Sequence, residues 1–145
     1  MPETPPRGMP RISPYLLYED VGAMLEWLSD AFGFEERLRY ASADGTVSHA
    51  EMTLADGHVM LGHPGPEFRN PKRLGQPTVH VNVYVDDVDA HFRRARESGA
   101  TIVAEPSDQP YGDRRYDAED PEGVRWTFAQ HVRDVPPEEW GAADA

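Results

Sequence analysis

The stretch that decides the fold is "QPTVHVNVYVDDVDAHF", residues 76–92. Val79, Val81, Val83 and Val85 alternate with His80, Asn82, Tyr84 and Asp86. Alternation with period two predicts a strand over 78–85 with one apolar and one polar face. Asp87 then stands where a helix N-cap belongs, and Val88, His91, Phe92 and Ala95 recur at helical spacing up to Gly99. Strands are predicted at about 101–105, 114–119 and 124–131, with a turn at "DPEG". The same order occurs earlier in the chain. A strand at 11–18 precedes an Asp20 cap, and the stripe Val21, Met24, Leu25, Leu28 and Phe32 ends at Gly33. Strands at about 35–41, 46–54 and 58–63 follow, with turns at Asp44-Gly45 and Asp56-Gly57. A shift of 67 residues lays Asp20 on Asp87, Val21 on Val88, Ala23 on Ala90 and Leu25 on Phe92.

The expected class is therefore α+β. Two tandem βαβββ modules form a curved mixed sheet around a cavity, with the helices on its convex side. One such unit is too small to bury both faces of its sheet, which is the reason to expect two. Residues 1–10 are expected to be a mobile tail, 11–63 module one, 64–77 a Pro/Gly-rich linker, 78–131 module two and 132–145 a C-terminal tail, all in one compact domain.

The 145 residues carry a formal net charge of −12 and no cysteine. Cysteine nucleophiles, thiolate metal sites and disulfide frameworks are thereby excluded. Nucleic-acid binding is not expected, because phosphate contacts need clustered Lys and Arg. No apolar run approaches the length of a membrane span, and "MPETPPRGMP" has no apolar leader segment, so a soluble cytoplasmic protein is expected.

The segments "PYLLYEDVGAMLEWLSDAFGF", "VHVNVYVDDVDAHFRRARESGA" and "DAEDPEGVRWTFAQH" together resemble the vicinal-oxygen-chelate superfamily. That superfamily includes glyoxalase I, extradiol dioxygenases, and fosfomycin- and bleomycin-resistance proteins. The acidic-Pro-x-Gly turn before the last strand is the most specific part. The ending "WTFAQHVRDVPPEEW" is similar to a glyoxalase-like branch labelled demethylubiquinone-methyltransferase-like; no nucleotide-binding Gly-rich loop accompanies it here. The resemblance implies one metal ligand on the first and last strand of each module. In this chain those positions hold Ser13, Met60 or Leu61, His80 and Thr127. Two hydroxyls and a thioether or alkyl group do not suit a divalent ion that favours imidazole and carboxylate, so neither a metal nor another cofactor is expected.

Ligand-binding candidates are Tyr15, His49, Glu51, His80, Asn82, Tyr84, Tyr111 and Arg115. In "VSHAEMTL", Ser48, Ala50, Met52 and Leu54 share one strand face, and His49, Glu51 and Thr53 the other. A catalytic residue is not identified, with Glu51 and His80 as candidates for acid–base work. Trp126 and Phe128 are expected in the core. Trp140, in an otherwise polar tail, is expected to dock on a neighbouring chain of a homodimer. The function expected is metal-free sequestration of an aromatic or cationic small molecule, as in antibiotic resistance. The alternative is a lyase or isomerase with non-standard metal ligands or Glu51/His80 acid–base chemistry.

Overall fold

A computed structural model describes residues 1–143. The last two residues of the expected tail lie outside the described residues. The chain divides into two compact units at Gln76/Pro77. Each holds a four-stranded mixed sheet and one long helix, in the α+β class and the expected βαβββ order.

Unit one contains β1 (Tyr15–Leu17), α1 (Val21–Phe32), β2 (Glu35–Ala41), β3 (Val47–Leu54), β4 (Gly57–Gly62) and α2 (Pro71–Leu74). Its sheet order is β1-β4-β3-β2, with β1 parallel to β4 and the other pairs antiparallel. Unit two contains β5 (His80–Tyr84), α3 (Val88–Glu97), β6 (Thr101–Asp108), β7 (Asp113–Glu119) and β8 (Arg125–His131). A 3-10 turn, Pro137–Trp140, follows. Its order is β5-β8-β7-β6, again with the first strand parallel to the last. Neither sheet closes on itself.

The caps work as the repeat predicts. Asp20 accepts the Ala23 amide and Asp87 the Ala90 amide, each at 3.0 Å. Gly33 closes α1 in the left-handed conformation at φ 83°. The stripe Val21, Met24, Leu25, Leu28, Ala31 and Phe32 is buried, and α1 packs on β2 and β3, where Ala50 and Met52 are sealed. Full burial of one Leu or Phe contributes roughly 1.5–3 kcal/mol, so this stripe is the main term holding helix to sheet. In unit two α3 lies on β6, β7 and β8, over Tyr116, Trp126 and Phe128. Both Trp126 and Phe128 are core residues, as expected.

Local chemistry explains where element boundaries differ from the sequence reading. β1 is three residues long rather than eight. Pro10 and Pro14 lack amide donors, so the segment before Tyr15 cannot continue the ladder. The Pro14 carbonyl still accepts the Met60 amide at 2.9 Å, which fastens this segment to β4. The linker contains α2, capped by Asn70 accepting from Arg73 N–H at 2.9 Å, with Pro71 in the first turn. Arg73 in turn pairs with Glu19 at 2.6 Å. The β6–β7 hairpin runs further than expected, to Asp108 and from Asp113. Among the described residues no helix is long and apolar enough to cross a membrane.

Candidate functional site

The polar faces of the two sheets carry the candidate residues. Along β5, Val81 is buried and Val83 half-buried, while His80, Asn82 and Tyr84 are exposed, as the alternation requires.

In unit one the polar face is a continuous hydrogen-bonded chain. The Tyr15 hydroxyl meets His49 Nδ1 at 2.8 Å, and His49 Nε2 lies 3.3 Å from Glu51 Oε2. Glu51 Oε1 accepts from Arg37 Nη1 at 2.8 Å and from His58 Nε2 at 2.9 Å. His58 Nδ1 is 2.9 Å from Ser13 Oγ. Glu51 and His58 are both buried. Burial pushes the Glu51 carboxyl up, but the His58 and His49 hydrogen bonds and the nearby charges outweigh it and hold it below its ordinary value. Its lone pairs are thus already committed to donors of its own unit.

Tyr15 keeps its ring exposed although its hydroxyl is anchored. The ring lies across Gly62: a Cβ there would come within 2.4 Å of it. Leu17 continues the same face of β1. It borders an open hollow of about 490 Å³ lined by Pro64, Gly65, Pro66, Glu67 and Phe68.

In unit two the Thr127 hydroxyl donates to Asp117 Oδ1 at 2.5 Å. A hydroxyl has one proton, so its second contact, with His80 Nε2, is one in which the imidazole donates. His80 therefore faces its own Thr127, carrying its proton on Nε2. Tyr84 repeats the Tyr15 arrangement: its hydroxyl donates to buried Asp113 at 2.8 Å while the ring stays exposed. That acceptor bond, joined by burial, pushes the Tyr84 phenol above its ordinary value. Asp113 also meets His131 Nδ1 at 2.8 Å, and His131 Nε2 meets Asp134 at 2.7 Å. Arg115 donates to the Tyr111 hydroxyl at 3.1 Å and lies 4.0 Å from Asp117. Arg114 instead pairs with Asp89 and Asp108. Trp140 packs on Tyr111 of the same chain, ring centroids 5.6 Å apart, and keeps 41% of its surface exposed. It thus has an aromatic contact within its own unit.

Residues 10–128 match the family model described as Glyoxalase/Bleomycin resistance protein/Dioxygenase superfamily. The chain belongs to that superfamily. An uncharacterized protein of Mycobacterium bovis is 35% identical over 139 residues, covering 92% of this chain and 91% of the relative. The crystal structure of TioX from Micromonospora sp. ML1 is 36% identical, covers 83% of this chain and 98% of that one, and superposes with a TM-score of 0.71. A putative 3-demethylubiquinone-9 3-methyltransferase, PhnB protein, from Bacillus cereus shares the fold at 16% identity. It covers 83% of this chain and 99% of that one, with a TM-score of 0.61.

Register decides between Met60 and Leu61 for the fourth of the positions that the resemblance implies. Tyr15 pairs with Met60 and Asn82 with Thr127 in the two parallel ladders, so Met60 is the counterpart of Thr127. Leu61, opposite buried Ala50, lies on the other face and is fully buried. Unit one thus offers a thioether and a serine hydroxyl already engaged by His58. Unit two offers an imidazole and a hydroxyl bonded to each other. These residues do not fit a divalent ion.

His58, Arg37, Asp113 and Asp117 escaped the sequence reading. His58 was within its reach: "HVMLG" alternates, placing His58, Met60 and Gly62 on the polar face. The pairing of Arg37 with Glu51 depends on a β2–β3 register interrupted by a bulge between Glu36 and Leu38, which no local pattern announces.

Proposed function

We propose that this superfamily member is a metal-free small-molecule-binding protein that sequesters a planar aromatic, cationic compound. The observation that supports it is the pair of exposed tyrosine rings, Tyr15 and Tyr84, each pinned by its hydroxyl to a polar network on its sheet face. A pinned ring has already lost its rotamer freedom, so stacking a ligand on it costs little further entropy. In unit one the ligand stacks on Tyr15 and lays its apolar body along Leu17 and the Pro64–Phe68 hollow. Its cationic group is served by the exposed carboxylate of Glu67, since Glu51 is occupied by Arg37 and two imidazoles. His49, Glu51, His80 and Asn82 shape the polar faces, and Tyr111 and Arg115 extend the face of unit two. The protein works as a cytoplasmic homodimer, which sedimentation velocity tests.

Calorimetric titration with metal-free bleomycin and with ethidium tests the binding reading. Saturable binding that drops at least tenfold in Tyr15→Ala or Tyr84→Ala supports it. Absence of binding by both probes, or affinities unmoved in both variants, counts against it.

The buried Glu51 between two imidazoles favours a second reading, acid–base catalysis by a lyase or isomerase of the superfamily. In it Glu51 works with His49 and His58, because His80 has its own partner in Thr127.

A further inference from the structure

We propose that Ser13 is an activated nucleophile, with His58 as its general base and Glu51 as the group that positions that base, and that this site reacts with small acyl esters. The geometry is a three-member chain: Ser13 Oγ to His58 Nδ1 at 2.9 Å, and His58 Nε2 to Glu51 Oε1 at 2.9 Å. An ionised carboxylate only accepts, so His58 must carry its proton on Nε2. Its Nδ1 lone pair is then free to accept the serine proton. This is the nucleophile–base–acid logic of acyl transfer, with the two imidazole nitrogens in exchanged positions.

The supporting structure is rigid where the chemistry needs it. His58 has a side chain only 3% exposed, and Arg37 clamps the same carboxylate oxygen that orients it. Ser13 is half-buried, open enough for an electrophile to reach, and Pro14 beside it is fastened to Met60. The site owes nothing to the binding reading: it needs neither tyrosine ring and no metal.

The step balances without a co-reactant beyond water. Ser13 Oγ attacks the ester carbonyl carbon as its proton moves to His58 Nδ1. The imidazolium returns that proton to the departing alkoxide as the carbon–oxygen bond breaks, leaving acyl-serine. Water then attacks the acyl carbon, giving its proton to His58, and the serine oxygen leaves reprotonated with release of the acid.

Diisopropyl fluorophosphate is the direct probe. Its phosphorus–fluorine bond breaks as Ser13 Oγ bonds to phosphorus, and the serine proton leaves with fluoride through His58. Intact-mass and peptide mass spectrometry of the full chain should show one adduct, on Ser13. The adduct should vanish in Ser13→Ala, and its rate should fall at least tenfold in His58→Gln. Glu51→Gln should slow labelling and, by nitrogen-15 NMR, convert His58 from one Nε2–H tautomer to a mixture, which loss of packing alone would not do. A melting curve for each variant verifies folding. An unlabelled Ser13 in the folded wild type, or labelling that His58→Gln leaves unchanged while folded, overturns the proposal.

Discussion

The Trp126 indole donates its N–H to Asp120 Oδ2 at 3.1 Å, deep in unit two. The other oxygen of that carboxylate accepts the amides of Glu122 and Val124, at 3.0 and 3.1 Å. One side chain thereby folds the "DPEG" turn and anchors the largest core residue. Asp120→Ala would leave a buried indole donor and two amides without this acceptor. A loss on the order of 3 kcal/mol is expected, read as a lower midpoint in urea, with Asp120→Asn losing less.

Asp20 and Asp87 make equivalent caps in different units. Each alanine substitution should cost about 1 kcal/mol. The two caps accept different amides in different units, so the double variant should lose the sum. A double variant no weaker than either single would show that the caps are not independent.

The repeat, the caps, the turns and the polar alternation on β5 could be read from the sequence because each depends on neighbours in the chain. The partners of the polar groups could not. His80 and Thr127 are 47 positions apart, and Ser13 and His58 are 45 apart. Their meeting is a property of strand order, β1 beside β4 and β5 beside β8, and of parallel register. For the same reason Glu51 was legible as a polar-face carboxylate, but its saturation by Arg37, His49 and His58 was not. Trp140 was legible as a residue needing a contact, though not that Tyr111 supplies one.

Gly62 makes room for the Tyr15 ring, and its replacement tests the ring's role without touching it. Gly62→Ala would put a methyl 2.4 Å from the ring, forcing the side chain off its bond to His49. The backbone there needs no left-handed conformation, so the strand should survive. Binding of ethidium should fall as far in Gly62→Ala as in Tyr15→Ala. Full retention of affinity in a variant whose Tyr15 ring has moved, by crystallography, would remove Tyr15 from the site.

His131 is held between Asp134 and Asp113, and the hydrogen bonds to these carboxylates raise its imidazole above its ordinary value. A raised folded value means that the contribution is full below the unfolded value and is lost as pH rises through the folded one. Proton NMR of the imidazole should show a titration midpoint that moves down in Asp134→Asn. An unchanged midpoint would mean that Asp134 does not hold His131 in solution.

Glu51 has the opposite sign. Its folded value lies below the ordinary 4.5, because the donors around it outweigh its burial. The stability it contributes is therefore present above the unfolded value and is lost as pH falls through the lower folded one. The comparison that isolates it is wild type against Glu51→Gln, which keeps the volume and removes the charge. The variant should melt below wild type at about pH 6, and the gap should narrow as the solution is acidified below the ordinary carboxylate value and close through the lower folded one. Arg37→Met supplies the control. It removes the guanidinium that bonds the carboxylate, so it should raise the pH at which the gap closes. A gap independent of pH would show that Glu51 acts through shape alone, and that the carboxylate is not the charged centre of the Ser13–His58 chain.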